Sequence, residues 1–215
     1  MIKNKKGIIF DLDGTLVDSL EDIANAVNET LNELGLPRKN NKFIKSAIGS
    51  GAKTLLNTCL PPNVLVDEKI YKMFLINYNS ETHNQSKLYP GVLSFLEKSA
   101  DIRKAVLTNK PIEPALKIIK KLKINKYFEK IVGLDNVNPP KPDPSGLNTI
   151  LTFLELSPDQ AIMIGDGFQD IRVANNVKMD SIAILDRIGD NQLVLSQNPT
   201  YTVKNFFEIS DMFFL

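Results

Sequence analysis

The chain has 215 residues, 43% of them hydrophobic and 24% charged, enough for one sizeable core or a core with a small second domain. Its 26 Lys and Arg against 25 Asp and Glu leave a net charge of +1, which offers no bulk field for nucleic acid or an anionic membrane surface. One cysteine, Cys59, and one histidine, His83, exclude a disulfide scaffold and a zinc centre built from several such ligands, and they leave catalysis to carboxylates.

Three lysines near the amino terminus precede Gly7-Ile8-Ile9-Phe10, a run too short for the apolar region of a signal peptide. Nowhere do about 20 apolar residues follow one another as a membrane span requires, so a cytoplasmic location is expected.

In chain order, Gly7 to Phe10 reads as a strand buried on both faces. From about Val17 to Ser86 the apolar spacing is helical. Leu20, Ile23, Ala24, Val27, Leu31 and Leu34 form one stripe, with Asp18 or Ser19 placed to cap it and Gly35 to end it. Three shorter helices follow around Phe43 to Ala47, Leu55 to Cys59 and Ile70 to Tyr78. Met73 and Phe74 read as core of this insert. Strands recur at Lys104 to Leu107, Tyr127 to Val132, Ala161 to Ile164 and Ser181 to Leu185, and helical patterns at Ala115 to Leu122 and Leu147 to Leu154 separate them. Such alternation predicts an α/β fold with a doubly wound parallel sheet, residues 1–16 and 87–215 forming the core and 17–86 a helical domain.

Ligands of such sheets sit at the carboxyl ends of the strands. Asp11-Leu12-Asp13-Gly14-Thr15 follows the first strand, and Gly165-Asp166-Gly167-Phe168-Gln169-Asp170 follows another and opens a helix. Each alone is consistent with a turn or a helix cap. Together they place repelling carboxylates on one edge, which a hard divalent cation with oxygen ligands, such as Mg²⁺, would hold. A calcium loop counted from Asp11 fails, because Leu16 and Asp22 stand where Gly and Glu are needed. Thr108-Asn109 ends a third strand and offers a hydroxyl and a backbone N–H to an anion. Lys141 lies among prolines that restrict its backbone. A nucleophilic carboxylate, an adjacent acid, metal ligands, a hydroxyl and a cation form the set that performs phosphoryl transfer through an aspartyl-phosphate.

DLDGTLVDS, LTNK, KPDP and GDGFQD, in that order, resemble the four motifs of the haloacid dehalogenase superfamily, and Thr108-Asn109-Lys110-Pro111 looks like its phosphoglycolate phosphatase branch. The resemblance implies a Rossmann-like core with a helical cap and makes Asp11 the nucleophile and Asp13 the acid and base. It implies Mg²⁺ held by Asp11, the Asp13 backbone carbonyl, Asp166 and Asp170, the last directly or through water. Thr108, the Asn109 amide and Lys141 then clamp the phosphate. Within the superfamily, Asp13 favours ester cleavage, whose alkoxide needs a proton, over dehalogenation. The substrate expected is a small phosphorylated metabolite, 2-phosphoglycolate first, on a monomer or homodimer without nucleic acid or membrane partners. Open alternatives are a nucleotide, sugar-phosphate or pyrophosphate hydrolase, a phosphoglucomutase-like isomerase, and a receiver-type signalling module.

Gly49-Ser50-Gly51-Ala52-Lys53-Thr54 does not fit a phosphate-binding loop, since Ala47 and Ala52 replace both required glycines. The resemblance makes it a cap loop that descends on the substrate, with Ser50 and Lys53 as candidate contacts and hinges near Val17 and Ser86. Two positions depart from the family pattern: Val177-Lys178 stands for Ala-Gly, and Asp186 or Arg187 for a glycine after the following strand.

Overall fold

The structure is a computed structural model that describes residues 2, 5–80 and 85–215, so His83 lies outside the described residues. Strand β1 (Gly7–Phe10) leads through the two-residue β2 (Val17–Asp18) into helices α1 (Leu20–Glu33), α2 (Asn41–Ala47), α3 (Ala52–Cys59) and α4 (Glu68–Asn79). The chain returns through β3 (Lys87–Leu88), and α5 (Val92–Lys98), β4 (Arg103–Leu107), α6 (Ile112–Lys121), β5 (Lys130–Val132) and α7 (Ser145–Phe153) follow. It ends with β6 (Ala161–Gly165), α8 (Phe168–Asn176), β7 (Asp180–Ile184), α9 (Asn191–Leu195), β8 (Tyr201–Val203) and α10 (Phe206–Phe214). No helix among the described residues is long and apolar enough to cross a membrane.

Six parallel strands run in the order β5-β4-β1-β6-β7-β8. Counted along the chain that is 3-2-1-4-5-6, the doubly wound order whose direction of travel reverses beside β1. Register levels the strand ends: Phe10 pairs with Val106 on one side and Ile164 on the other. The residues just beyond β1, β4 and β6 therefore share one edge.

Alternation along β1 sends Ile8 and Phe10 to one face and Ile9 to the other, and all three are fully buried. Beneath the first face the Phe10 ring meets Phe95, Phe128 and Phe206 at 6.2, 6.1 and 6.3 Å between centroids. Filling such a site with a phenyl ring is worth several kcal/mol, about 3 to 5 for Phe to Ala in a core. Beneath the second face Ile9 packs with Leu107, Leu147 and Met163.

The helical insert has its own core, in which Val27 and Leu31 of α1 pack with Ile44, Leu56 and Phe74. Its two linkers cross where β2 and β3 pair antiparallel, Val17 opposite Leu88. Asp22 in the first turn of α1 accepts the Gln85 and Ser86 N–H groups at 2.9 and 2.8 Å, which ties the outgoing linker to the returning one.

Several local features depart from the sequence reading. Ser19 occupies the N-cap of α1 without capping it, because its hydroxyl donates to Asp13 at 2.6 Å. Gly35 ends the stripe as expected, at φ +70°. The strand expected over Tyr127 to Val132 starts only at Lys130, because a 3-10 turn at Asn125–Tyr127 carries Phe128 into the aromatic core. Strand β8 and helices α9 and α10 were not anticipated: the short β8 is an edge strand on which only Val203 is buried.

Candidate active site

Asp11 is the first residue beyond β1, and its N–H donates to the Ile164 carbonyl of β6 at 2.9 Å. Asp166 follows β6, and Asp170 lies in the first turn of α8 with a carboxylate oxygen accepting the Gly167 N–H at 2.9 Å. Register thus brings together residues separated by more than half the chain. Oxygens of Asp11, Asp166 and Asp170 lie within 4.8 Å of one another, and all three residues are buried.

Against these stands Lys141, 5% exposed, on the loop before α7. Its ammonium donates to Asp11 at 2.7 Å, to Asp170 at 2.6 Å and to the Leu107 carbonyl at 2.8 Å, which uses its three N–H groups. Burial works against the charge, yet Asp11 and Asp170 outweigh it and hold the ammonium above the ordinary lysine range. Burial also pushes the Asp11 carboxyl up, against the pull of Lys141, while Asp170 and Asp166 push it further. Asp166 is raised to about 7 by burial and by Asp170, despite the Gly189 N–H and the Thr15 hydroxyl, which both donate to it at 2.9 Å. Three buried carboxylates against one ammonium leave an excess of negative charge in an all-oxygen donor set. That arrangement fits a hard divalent cation such as Mg²⁺.

Two glycines make the cluster possible. Gly14 has φ +87°, and a Cβ there would stand 2.2 Å from an Asp166 carboxylate oxygen. A Cβ on Gly189 would stand 1.9 Å from the Asp166 carbonyl, so only glycine lets that backbone deliver its N–H.

Asp13 turns the other way. Its carboxylate accepts the Ser19 hydroxyl at 2.6 Å and the Lys110 ammonium at 3.1 and 3.0 Å. Asp11 and Asp13 both line a cavity of ≈ 70 Å³, whose floor also includes Thr108, Asn109 and Lys110. Its roof is apolar and comes from the helical insert, chiefly Ile23, Ile48, Leu55, Phe74, Leu75 and Tyr78. Phe74 is therefore core of the insert, as expected, and also a wall of the cavity. On the opposite side of the aspartates a wider cleft opens between Lys42 and Lys45 of α2 and the 186–191 loop.

The loop before α3 does descend on this site. Asn109 donates its side-chain N–H groups to the Gly49 and Lys141 carbonyls, both at 3.0 Å, and accepts the Lys141 N–H at 2.9 Å. Gln169 donates to the Ser50 hydroxyl at 3.0 Å. Two core amides thus clasp the loop. Lys53 is not brought to the cavity: exposed on α3, its ammonium stands 5.1 Å over the Tyr71 ring. The stripe of Ala52, Leu55, Leu56 and Cys59 points into the insert's core, which turns Lys53 outward.

Sequence reasoning gave no part in the site to Thr15, Ser19, Lys110, Gln169 or Gly189. Lys110 stood in the sequence only as a branch marker. The first departing position explains itself: Lys178 sits at φ +58°, and Asp186 at φ +61°, the left-handed region glycine favours. Arg187 stacks 3.8 Å from the Tyr89 ring centroid.

A doubly wound sheet with buried carboxylates at its reversal point and a helical roof above them is the architecture of an α/β enzyme with an acidic ligand site. The chain belongs to the haloacid dehalogenase-like hydrolases, whose family model matches residues 8–184. A protein of Psychrobacter arcticus named phosphoglycolate phosphatase is 32% identical over 219 residues, spanning 97% of this chain and 95% of that one. One of the same name from Colwellia psychrerythraea is 31% identical over 220 residues, spanning 97% and 96%. Among solved structures, a predicted phosphoglycolate phosphatase from Haemophilus somnus superposes with a TM-score of 0.90 at 27% identity, covering 99% of each chain.

Proposed function

We propose that this hydrolase is a Mg²⁺-dependent phosphatase that cleaves a small phosphate monoester through an aspartyl-phosphate on Asp11. The observation that carries this reading is the division of labour between two aspartates two positions apart. Asp11 faces the acidic cluster and Lys141, whereas Asp13 is held off that cluster by Ser19 and Lys110.

An Asp11 oxygen attacks phosphorus, and the alkoxide leaves with the proton that Asp13 donates. Asp13 then takes a proton from water, whose oxygen attacks phosphorus and returns Asp11 and inorganic phosphate. One carboxyl serves both steps because its proton is lost in the first and regained in the second. Asp11, the Asp13 backbone carbonyl, Asp166 and Asp170 would hold Mg²⁺, with Asp170 direct or through water. When bound, the ion offsets the repulsion between carboxylate and phosphate. Lys141 balances the charge of Asp11 and Asp170, and Thr108 with the Asn109 N–H orients the phosphate oxygens. The clasped loop excludes water from the cavity.

2-Phosphoglycolate is the leading substrate, supported by the names of the relatives. Phosphate release from a panel of phosphorylated metabolites, with Mg²⁺ and with EDTA, tests the reading. Asp11→Asn should lower kcat by on the order of 10⁴-fold or more. Retention of Mg²⁺-dependent turnover by that variant would show that Asp11 is not the nucleophile.

A further inference from the structure

We propose that Lys110 is the residue that selects the substrate, by pairing its ammonium with a carboxylate on the leaving group. This rests on the phosphatase reading and specifies the substrate class: a small phosphorylated hydroxy acid.

Lys110 lines the ≈ 70 Å³ cavity and is the only Lys, Arg or His among the described residues that line it. Its side chain is 6% exposed, and its ammonium lies between two other lining groups, the Asp13 carboxylate at 3.0 Å and the Tyr78 ring, whose centroid is 4.2 Å away. A carboxylate lying under an apolar roof needs a cation beside it, because an unpaired charge taken out of water costs several kcal/mol. Lys141 does not meet that need, since it is not among the residues lining this cavity and its three donors serve Asp11, Asp170 and the Leu107 carbonyl. Lys53, the contact expected from sequence, stands over Tyr71 and does not line the cavity.

The rival role for Lys110 is to orient Asp13. Orientation does not require a buried charge, because the Ser19 hydroxyl already fixes the same carboxylate at 2.6 Å. An uncharged leaving group would likewise make no use of a buried ammonium. A carboxylate lying against Lys110 and the rim of the Tyr78 ring makes use of both, and it leaves the ester oxygen beside Asp13.

The test compares 2-phosphoglycolate with 2-hydroxyethyl phosphate, which replaces the carboxylate by a neutral CH₂OH group at nearly the same size. Wild-type kcat/KM should favour the carboxylate ester by on the order of 30-fold or more, the discrimination expected of a buried charge-assisted hydrogen bond. Lys110→Met should erase that ratio while both esters still turn over, and Lys110→Arg should keep most of it. A residue that only orients Asp13 would slow both esters alike, so a Lys110→Met protein that keeps the wild-type ratio overturns the proposal. A wild-type ratio below about 3 also overturns it, while hydrolysis of both esters leaves the phosphatase reading intact. If wild-type protein hydrolyses neither ester nor p-nitrophenyl phosphate, the phosphatase reading fails and takes this one with it. If Lys110→Met does not fold, wild-type inhibition decides: glycolate should inhibit at concentrations at least about 30-fold lower than ethylene glycol, and equal inhibition overturns the proposal.

Discussion

The floor and the roof of the cavity are built on opposite physical principles. The floor, continued by the acidic cluster beside it, spends charge: Lys110, Lys141 and four aspartates, each fixed by hydrogen bonds of 2.6 to 3.1 Å, on or beside strands whose register is set by ladders on both sides. The roof is the inner edge of an apolar core, held to the floor by single contacts such as Asn109 to Gly49 and Gln169 to Ser50. The contrast teaches that the charged groups are confined to the half pinned by strand register, while the half held by a few contacts shapes the space above them.

The sharpest way to break that division is at Lys141. Lys141→Met leaves Asp11 and Asp170 buried without their counter-charge, and should lower kcat by on the order of 10²- to 10³-fold. In EDTA it should also cost about 3 kcal/mol in urea unfolding, with Mg²⁺ restoring part of the loss. An unchanged kcat would remove Lys141 from the chemistry.

Phe74→Ala tests the roof. Phe74 is 4% exposed in the insert's core, so truncation should cost about 3 kcal/mol in unfolding yet lower kcat less than tenfold, because no group touching phosphate is lost. A fall in kcat matching that of Lys141→Met would show that roof and floor act as one unit. Smallest of all should be Lys53→Ala: with its ammonium over Tyr71, kcat/KM should stay within about twofold of wild type. A tenfold rise in KM would place Lys53 back over the substrate.

The same division decided what the sequence could reveal. Several floor residues were legible because they follow apolar runs that end at turns, and a parallel sheet brings such ends to one edge. Asp11, Thr108 and Asp166 needed only that rule, whereas Lys141 was placed by its chemistry and its resemblance to a motif. The roof depends on helix phase, which is harder to use: the stripe through Leu55, Leu56 and Cys59 already turned Lys53 outward, but the resemblance to a cap loop suggested a substrate contact instead. Lys110 was hidden for a different reason, since a loop residue's direction follows from tertiary packing against Asp13 and Tyr78. Two-residue strands such as β2 and β3 carry no periodicity to detect.

The position of β1 has a consequence for how the chain is made. This strand, ahead of the other five along the chain, sits in the middle of the sheet and finds its two partners only near residues 103–107 and 161–165. The helical insert needs nothing outside 20–79 for most of its core, so on the ribosome it should collapse while Ile8, Ile9 and Phe10 still wait for neighbours. The acidic cluster should then assemble late, after Ala161 to Asp170 has given β1 its second neighbour and Gly189 has followed to hold Asp166.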